Sequence, residues 1–392
     1  MSLLEKLKPL ATSSQESPRS VPVWKGPEAD GVTQGLLGRY FVDLERFRLL
    51  VIEGLKPAEA FNHRLEYGHL WHICEEALAA GAPTRSPGWP EALLNYAQQL
   101  ARRYPTQQQQ VDHWYQVCKV QFPIYVDWWA KHPDVTDRRP LLQEQVFNVP
   151  YRLASGRTVR LRGKWDSVDL ISKEGVYLQE NKTKGEINEA QLKRQLTFDL
   201  QTMVYLIALD EYTKKAECGV PLATAAAGGR GIAGVRYNVV RRPLSGGAGS
   251  IRQHKPTKSN PRGETGPQFY GRLVGIIRDD PAGYFMRWKV EVSPADLLTF
   301  QRQCLDPVLE NLCDDYEWWN WCVETKTDPY NYSLRSDVFG PGSHFHRARH
   351  YRLPYGVYNP IAEGGSSDLD EYLRSGSEIG LQRTTNLFPE LS

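Results

Sequence analysis

Glu180, Asn181 and Lys182 close a segment, Val176 to Lys182, that reads as a β-strand. On a strand, residues two apart share a face, so the Glu180 carboxylate and the Lys182 ammonium project together. Asp166 sits on the preceding strand-like run, Lys164 to Ile171, joined to the first by the turn Ser172-Lys173-Glu174-Gly175. Antiparallel pairing of the two runs brings Asp166 beside Glu180. Two carboxylates are hard oxygen ligands suited to Mg²⁺, which keeps waters and completes its shell with substrate phosphate. An ammonium beside such an ion orients or activates a water and offsets charge that develops at phosphorus. The tripeptide alone has little specificity, since a solvent-facing charged pair on a hairpin satisfies it equally. Its weight comes from its surroundings.

Those surroundings are helices before it, strands around it and helices after it. Leu36, Tyr40, Leu44, Phe47 and Leu50 recur three or four apart, which predicts a helix that Gly54 and Pro57 interrupt. Further helices are expected over 65–80, 90–104 and 107–130, the last rich in aromatics best read as packing residues. Strands are expected at 144–149, 151–153 and 158–163 around the turn Ala154-Ser155-Gly156, then in the hairpin, then at 232–240. One long helix is expected over 188–214, which puts Gln201 and Tyr205, four apart, on one helix face. Residues 243–266 read as an irregular loop, with helices again over 267–280 and 293–322. This order predicts a mixed α/β domain with additions at both ends, not a doubly wound nucleotide-binding fold. No GxGxxG or GxxxxGK[ST] motif stands in a strand–turn–helix context.

Composition narrows the class without naming the chemistry. The chain has 392 residues, 41% hydrophobic, and its 48 Lys plus Arg against 46 Asp plus Glu leave a formal charge of +2. That excludes general disorder and makes net charge useless as an argument for a polyanionic partner. No run of 18 apolar residues predicts a membrane span, and the N-terminus lacks the apolar core of a signal peptide. Six cysteines without a CxxC pair suit a reducing compartment, so a cytoplasmic location is expected. The +2 conceals a local bias. From Pro221 to Arg278 ten basic residues face one acid, Glu264. Among them Arg236, Arg241, Arg242, Arg252, Lys255, Lys258 and Arg262 make a candidate phosphate-binding surface, contacting backbone rather than bases.

Taken in order, a histidine on the helix Tyr67 to Glu76, Gly163-x-x-Asp166, Glu180-x-Lys182 and Gln201-x-x-x-Tyr205 resemble the PD-(D/E)xK nuclease superfamily, and within it the RecB-like exonuclease branch. Gly68, His72 and Glu76 match that branch's Gly-x-x-x-His-x-x-x-Glu helix. Residues 45–57, 234–243, 262–273, 284–292 and the closing Phe388 to Leu391 are similar to phage-encoded members. The resemblance runs from about residue 36 to the end. It implies a restriction-endonuclease-like core, a mixed central sheet flanked by helices, with an N-terminal helical elaboration and a C-terminal helical and irregular one. It also implies that His72, Asp166 and Glu180 hold Mg²⁺ or Mn²⁺, that Lys182 is the catalytic lysine, and that Gln201 and Tyr205 support the site and contact DNA backbone. The expected activity is a metal-dependent deoxyribonuclease, an exonuclease of phage replication or recombination, with a recombinase or helicase as a possible partner.

Trp165 stands where the superfamily's name has proline. Many relatives carry a four-cysteine iron–sulfur cluster, but here no cysteine precedes Cys74, and Cys304, Cys313 and Cys322 lie nine apart, so no cluster is expected. A zinc site at His69 and Cys74 lacks further ligands at structural spacing, and the group His344, His346 and His350 reads as basic surface. A structure-specific or CRISPR-adaptation-like endonuclease, or a non-catalytic DNA-binding scaffold, shares the same core and stays open. The expected organisation is a flexible leader over 1–34, a nuclease domain over 35–324 and an irregular extension over 325–392. Within the domain, a helical lead-in spans 35–135, the catalytic core 140–242, the basic loop 243–266 and the C-terminal helices 267–324.

Overall fold

A computed structural model of the protein describes residues 23–42, 44–57, 59–79, 88–130, 138–215, 218–228, 231–243, 251–258, 261–325, 381–384, 386–388 and 391. The histidine group at 344–350 and residues 1–22 of the expected leader lie outside them, as does Arg230.

Six strands form one mixed sheet: β1 (Val32–Thr33), β3 (Arg138–Arg152), β4 (Thr158–Ile171), β5 (Gly175–Lys184), β6 (Ile232–Arg241) and β7 (Phe285–Glu291). Their order is β1-β4-β5-β6-β7, with β3 also paired to β4. β3–β4 and β4–β5 are antiparallel hairpins, the second closing on Gly175 at φ 124, a conformation that glycine adopts without strain. β5 and β6 run parallel, so the chain must cross over between them. It does so through helices α7 (Glu189–Leu196), α8 (Leu200–Thr213) and α9 (Val220–Ala227). β7 then returns antiparallel to β6.

Period-two alternation on β6 divides the molecule into two cores. Val235, Tyr237 and Val239 pack with α8, with α2 (Gln34–Val42) and with α12 (Asp306–Thr325). On the opposite side Asn238 and Val240 meet the helical layer of α4 (His63–Ala79), α5 (Trp89–Arg103), α6 (Gln108–Trp129) and α10 (Gly266–Asp279). The expected α/β class, a mixed central sheet flanked by helices, is the observed one.

Several elements differ from expectation. The expected single helix over 188–214 is broken at Thr197-Phe198-Asp199, where Phe198 takes φ 56 and the Asp199 side chain caps the N–H groups of Gln201 and Thr202. The alanine-rich segment Val220–Ala227 forms the further helix α9, and β7 and the short β1 are additions to the expected strands. The leader ends earlier than residue 34. Trp24 is fully buried, edge-on to Phe47 and Tyr316, because an indole in a Ser- and Pro-rich context still gains more from the core than the chain loses in freedom. Of the extension over 325–392, Leu381–Arg383 pairs with β2 (Leu55–Pro57), and Phe388 and Leu391 are buried in the first core. Among the described residues, no helix is long and apolar enough to cross a membrane.

Candidate active site

The site lies where β5 leaves β4. Their ladder begins at Ser167 and Gln179, and one residue beyond it the Asp166 carboxylate accepts the main-chain N–H of Asn181 at 2.8 Å. Along β4 the core-facing side chains are Leu161 and Trp165, then Val168, so the alternation slips by one at Asp166-Ser167. This slip turns Asp166 out of the ladder toward α4. Glu180 and Lys182 face the other side, toward α8, as the two-residue period requires.

On the α8 side three residues interlock. Lys182 Nζ donates to Glu180 Oε2 at 2.9 Å and to Gln201 Oε1 at 2.7 Å, while Gln201 Nε2 donates to Glu180 Oε2 at 3.0 Å. The helix break supplies this contact, because Asp199 starts α8 two residues before Gln201. Asp199 is itself held by Thr202 and by the hydroxyl of Tyr237, which also donates to Leu196 O. Burial disfavours the charged form of Lys182, but Glu180 against it, with Asp166 and Asp199 beyond, outweighs that and raises its pKa. Burial raises the pKa of Glu180 despite Lys182, with Asp166 adding to the rise, and burial likewise raises Asp166. Glu180 Oε1 is buried and has no hydrogen-bond partner.

On the α4 side, His72 Nδ1 lies 4.0 Å from Asp166 Oδ2. Gly68 makes this approach possible, since a Cβ there would stand 3.2 Å from Thr183 Oγ1 on β5 and hold the helix off the sheet. One turn later His72 arrives beside Asp166. The third member is Glu144, opposite Asp166 in the β3–β4 register and in left-handed backbone at φ 46. Its carboxylate meets Lys164 Nζ at 2.5 Å, yet burial pushes its pKa up to about 7, with Asp166 adding to the rise. His72, Glu144 and Asp166 each offer a ligand atom within 4.8 Å of the others.

The expected residues are therefore distributed rather than all gathered. His72 and Asp166 meet; Glu180 stands apart from their cluster with its orphan oxygen; Glu144, not anticipated, joins them. Of the adjacent acids at 75 and 76, Glu75 is buried and Glu76 exposed. Gln201 touches Glu180 and Lys182 directly. Tyr205 stands behind Gln201: its hydroxyl bonds the Gln201 side chain, its ring meets Phe147 edge-on at 5.2 Å and its carbonyl accepts Trp165 Nε1. A Cβ at Gly163 would stand 2.6 Å from the Phe147 ring and 2.8 Å from that of Tyr205, so the glycine of Gly163-x-x-Asp166 gives these rings room. Cys74 is fully buried beside Glu75, its thiol pushed far up by burial, which does not suit a zinc ligand.

The basic stretch also divides. Arg252, Lys255, Lys258 and Arg262 are exposed and Arg241 half-buried over Tyr284. Arg236 is a correction: it is fully buried, bonded to Asp169 and Gln179. A charged residue on a central strand with helices on both sides has no route to solvent. Arg242 is also buried, over the Trp114 ring. The single acid, Glu264, is taken by Arg272 and pins the segment from His254 onward.

Two carboxylates and an imidazole within reach of one ion fit a divalent cation with oxygen and nitrogen preferences. Comparison with known proteins agrees with this chemistry. The family model of the PD-(D/E)XK nuclease superfamily matches residues 45–264, more than half of the chain and every residue of the site. No curated protein matches the chain.

Proposed function

The chain belongs to the PD-(D/E)XK nuclease superfamily, whose members are metal-dependent nucleases, and from that premise we propose a deoxyribonuclease of the RecB-like branch, an exonuclease of phage DNA replication or recombination. The observation that carries the reading is the interlock of Lys182 with Glu180 and Gln201, set across from His72, Glu144 and Asp166. An ammonium fixed by two acceptors in a buried site is preorganised to orient a water and to meet charge that develops on phosphate.

His72, Glu144 and Asp166 would hold Mg²⁺ or Mn²⁺, with Glu180 on the opposite flank. The ion supplies Lewis-acid stabilisation of the phosphate oxygens and of the departing 3′ oxygen when bound. Lys182 aims the attacking water, and Gln201 keeps Lys182 and Glu180 in register. Tyr205, through Phe147 and Trp165, keeps β4 and α8 at the spacing this requires. Arg252, Lys255, Lys258 and Arg262, with Arg241 partly exposed, supply positive charge for DNA backbone without base reading. The nuclease unit is proposed to run from Val23 to about residue 324, with Phe388 and Leu391 returning to its core.

The test is cleavage of end-labelled linear DNA against covalently closed circles with Mn²⁺ added. Digestion of the linear form alone supports an exonuclease. Linearisation or nicking of the circles at a comparable rate replaces it with an endonuclease, and inactivity on both withdraws the catalytic reading.

A further inference from the structure

We propose that the cavity beside His72, Glu144 and Asp166 is a seat for the nucleobase of the substrate's terminal nucleotide. The proposal rests on the nuclease reading of that site. The cavity has a volume of about 500 Å³, and Glu144 and Asp166 form part of its wall. One wall is apolar, made by Leu78 and Ala79 of α4, Val126 and Trp129 of α6, and Pro140 of β3, and the remainder is polar. A planar ring gains by leaving water against such walls.

Among the polar lining residues, Glu75, Tyr125 and Arg287 are joined through Asn238 into one network with two loose ends. Arg287 lies over the Trp129 ring at 4.1 Å from its centroid and donates to Asn238 Oδ1 at 3.0 Å and to the Tyr125 hydroxyl at 2.8 Å. Its Nη1 is buried without a hydrogen-bond partner. Glu75 Oε1 accepts from Trp71 Nε1 and from Asn238 Nδ2, while its Oε2 is buried and unpartnered. Asn238 also donates to the Tyr125 hydroxyl, so the two residues with unpartnered atoms are tied together. Buried donors and acceptors are nearly always satisfied, which makes this pair an unusual lining.

One spare donor and one spare acceptor beside a flat apolar space suit a nucleobase. Each of the four bases carries both an acceptor and an N–H donor on its pairing edge, and each has a π face, so the seat tolerates any sequence while requiring a base. An arginine fixed by two bonds and an indole loses little freedom when it takes up a third partner.

The experiment compares oligonucleotides with an intact terminal nucleotide, at either end, against the same oligonucleotides ending in an abasic tetrahydrofuran unit, cleaved with Mn²⁺. Binding of the four deoxynucleoside monophosphates to the metal-free protein in EDTA is followed in parallel by equilibrium dialysis. The expected result is at least a tenfold slower cleavage of the abasic end, with saturable monophosphate binding. Arg287→Gln and the cavity-filling Val126→Trp should each reduce that discrimination to near unity and abolish the dialysis signal. Equal cleavage of intact and abasic ends by the unaltered protein overturns the proposal and leaves the nuclease reading standing. If no DNA is cleaved at all, the nuclease reading fails, and dialysis alone then decides whether the cavity holds a nucleotide.

Discussion

The main-chain N–H of Asn181 donates to the side chain of Asp166, so the residue between Glu180 and Lys182 fixes the acid across the strand gap. A ladder that would otherwise fray is continued by a carboxylate. Asp166→Asn keeps an oxygen for this bond and removes only the charge. Cleavage should fall by about 10²-fold or more. The melting temperature of the metal-free protein should hold or rise, because a buried charge is no longer carried. Paired activity and thermal-melt measurements check both halves, and a large loss of stability would contradict this account of the bond.

Burial raises Asp166 and Glu180, and Glu144 to about 7. In the folded state these acids keep protons that the unfolded chain releases. Their contribution to metal-free stability is therefore present at low pH and is lost as pH rises from about 4 to about 7. A divalent ion takes the deprotonated forms, so its affinity should increase across the same window. The rise in melting temperature on adding Mn²⁺ should be larger at pH 8 than at pH 5. Equal rises at both would remove these carboxylates from the metal site.

Lys182→Met should lower cleavage by about 10²- to 10³-fold. It also leaves Glu180 buried without its cation, a loss of about 3–5 kcal/mol unless the carboxyl takes up a proton. Adding Glu180→Gln should return most of the stability and none of the activity. Recovery of activity by the double variant would show that the lysine serves folding alone.

Glu144→Gln should weaken Mn²⁺ binding about tenfold or more, by calorimetry at pH 8, while the fold survives, since a neutral amide still reaches Lys164. The same substitution at Glu76, which is exposed, should change binding little. The reverse ranking would put Glu76, and not Glu144, at the metal.

Reversing Arg252, Lys255, Lys258 and Arg262 to Glu should weaken DNA binding and flatten its salt dependence, by roughly one unit of slope for each phosphate no longer neutralised. Arg236→Ala should act differently. It removes one of the two guanidinium partners of Asp169, leaving Arg138 at 2.9 Å, and takes the donor from buried Gln179, so it should destabilise by about 1–3 kcal/mol before DNA is involved. A salt titration and a thermal melt separate the two effects.

The strand pair that carries Asp166, Glu180 and Lys182 is legible in the sequence because a two-residue period and a glycine turn are local features. Gly163 and Gln201 are singled out only by the resemblance of the motif order. Glu144 is not legible, because its membership depends on which residue of a long edge strand falls opposite Asp166 and on a left-handed backbone at one position. Regional charge misleads at Arg236, because Val235 and Tyr237 share one covered face, and only the helical layer packed on the other closes Arg236 off. The break before α8 does carry a signal: an aspartate two residues ahead of Gln201 is a helix cap. A run of apolar residues on either side hides it.

His72 belongs to the helical layer, whereas Glu144 and Asp166 belong to the sheet, and the two layers keep separate cores. An ion among the three would therefore be a rivet between halves that otherwise meet only through side chains. Loading it would stiffen α5, which has no residue in the cavity wall, along with α6, which does, and unloading it would let that layer breathe. Digestion would then be gated by the cation twice, once at the bond being broken and once in the frame that surrounds it.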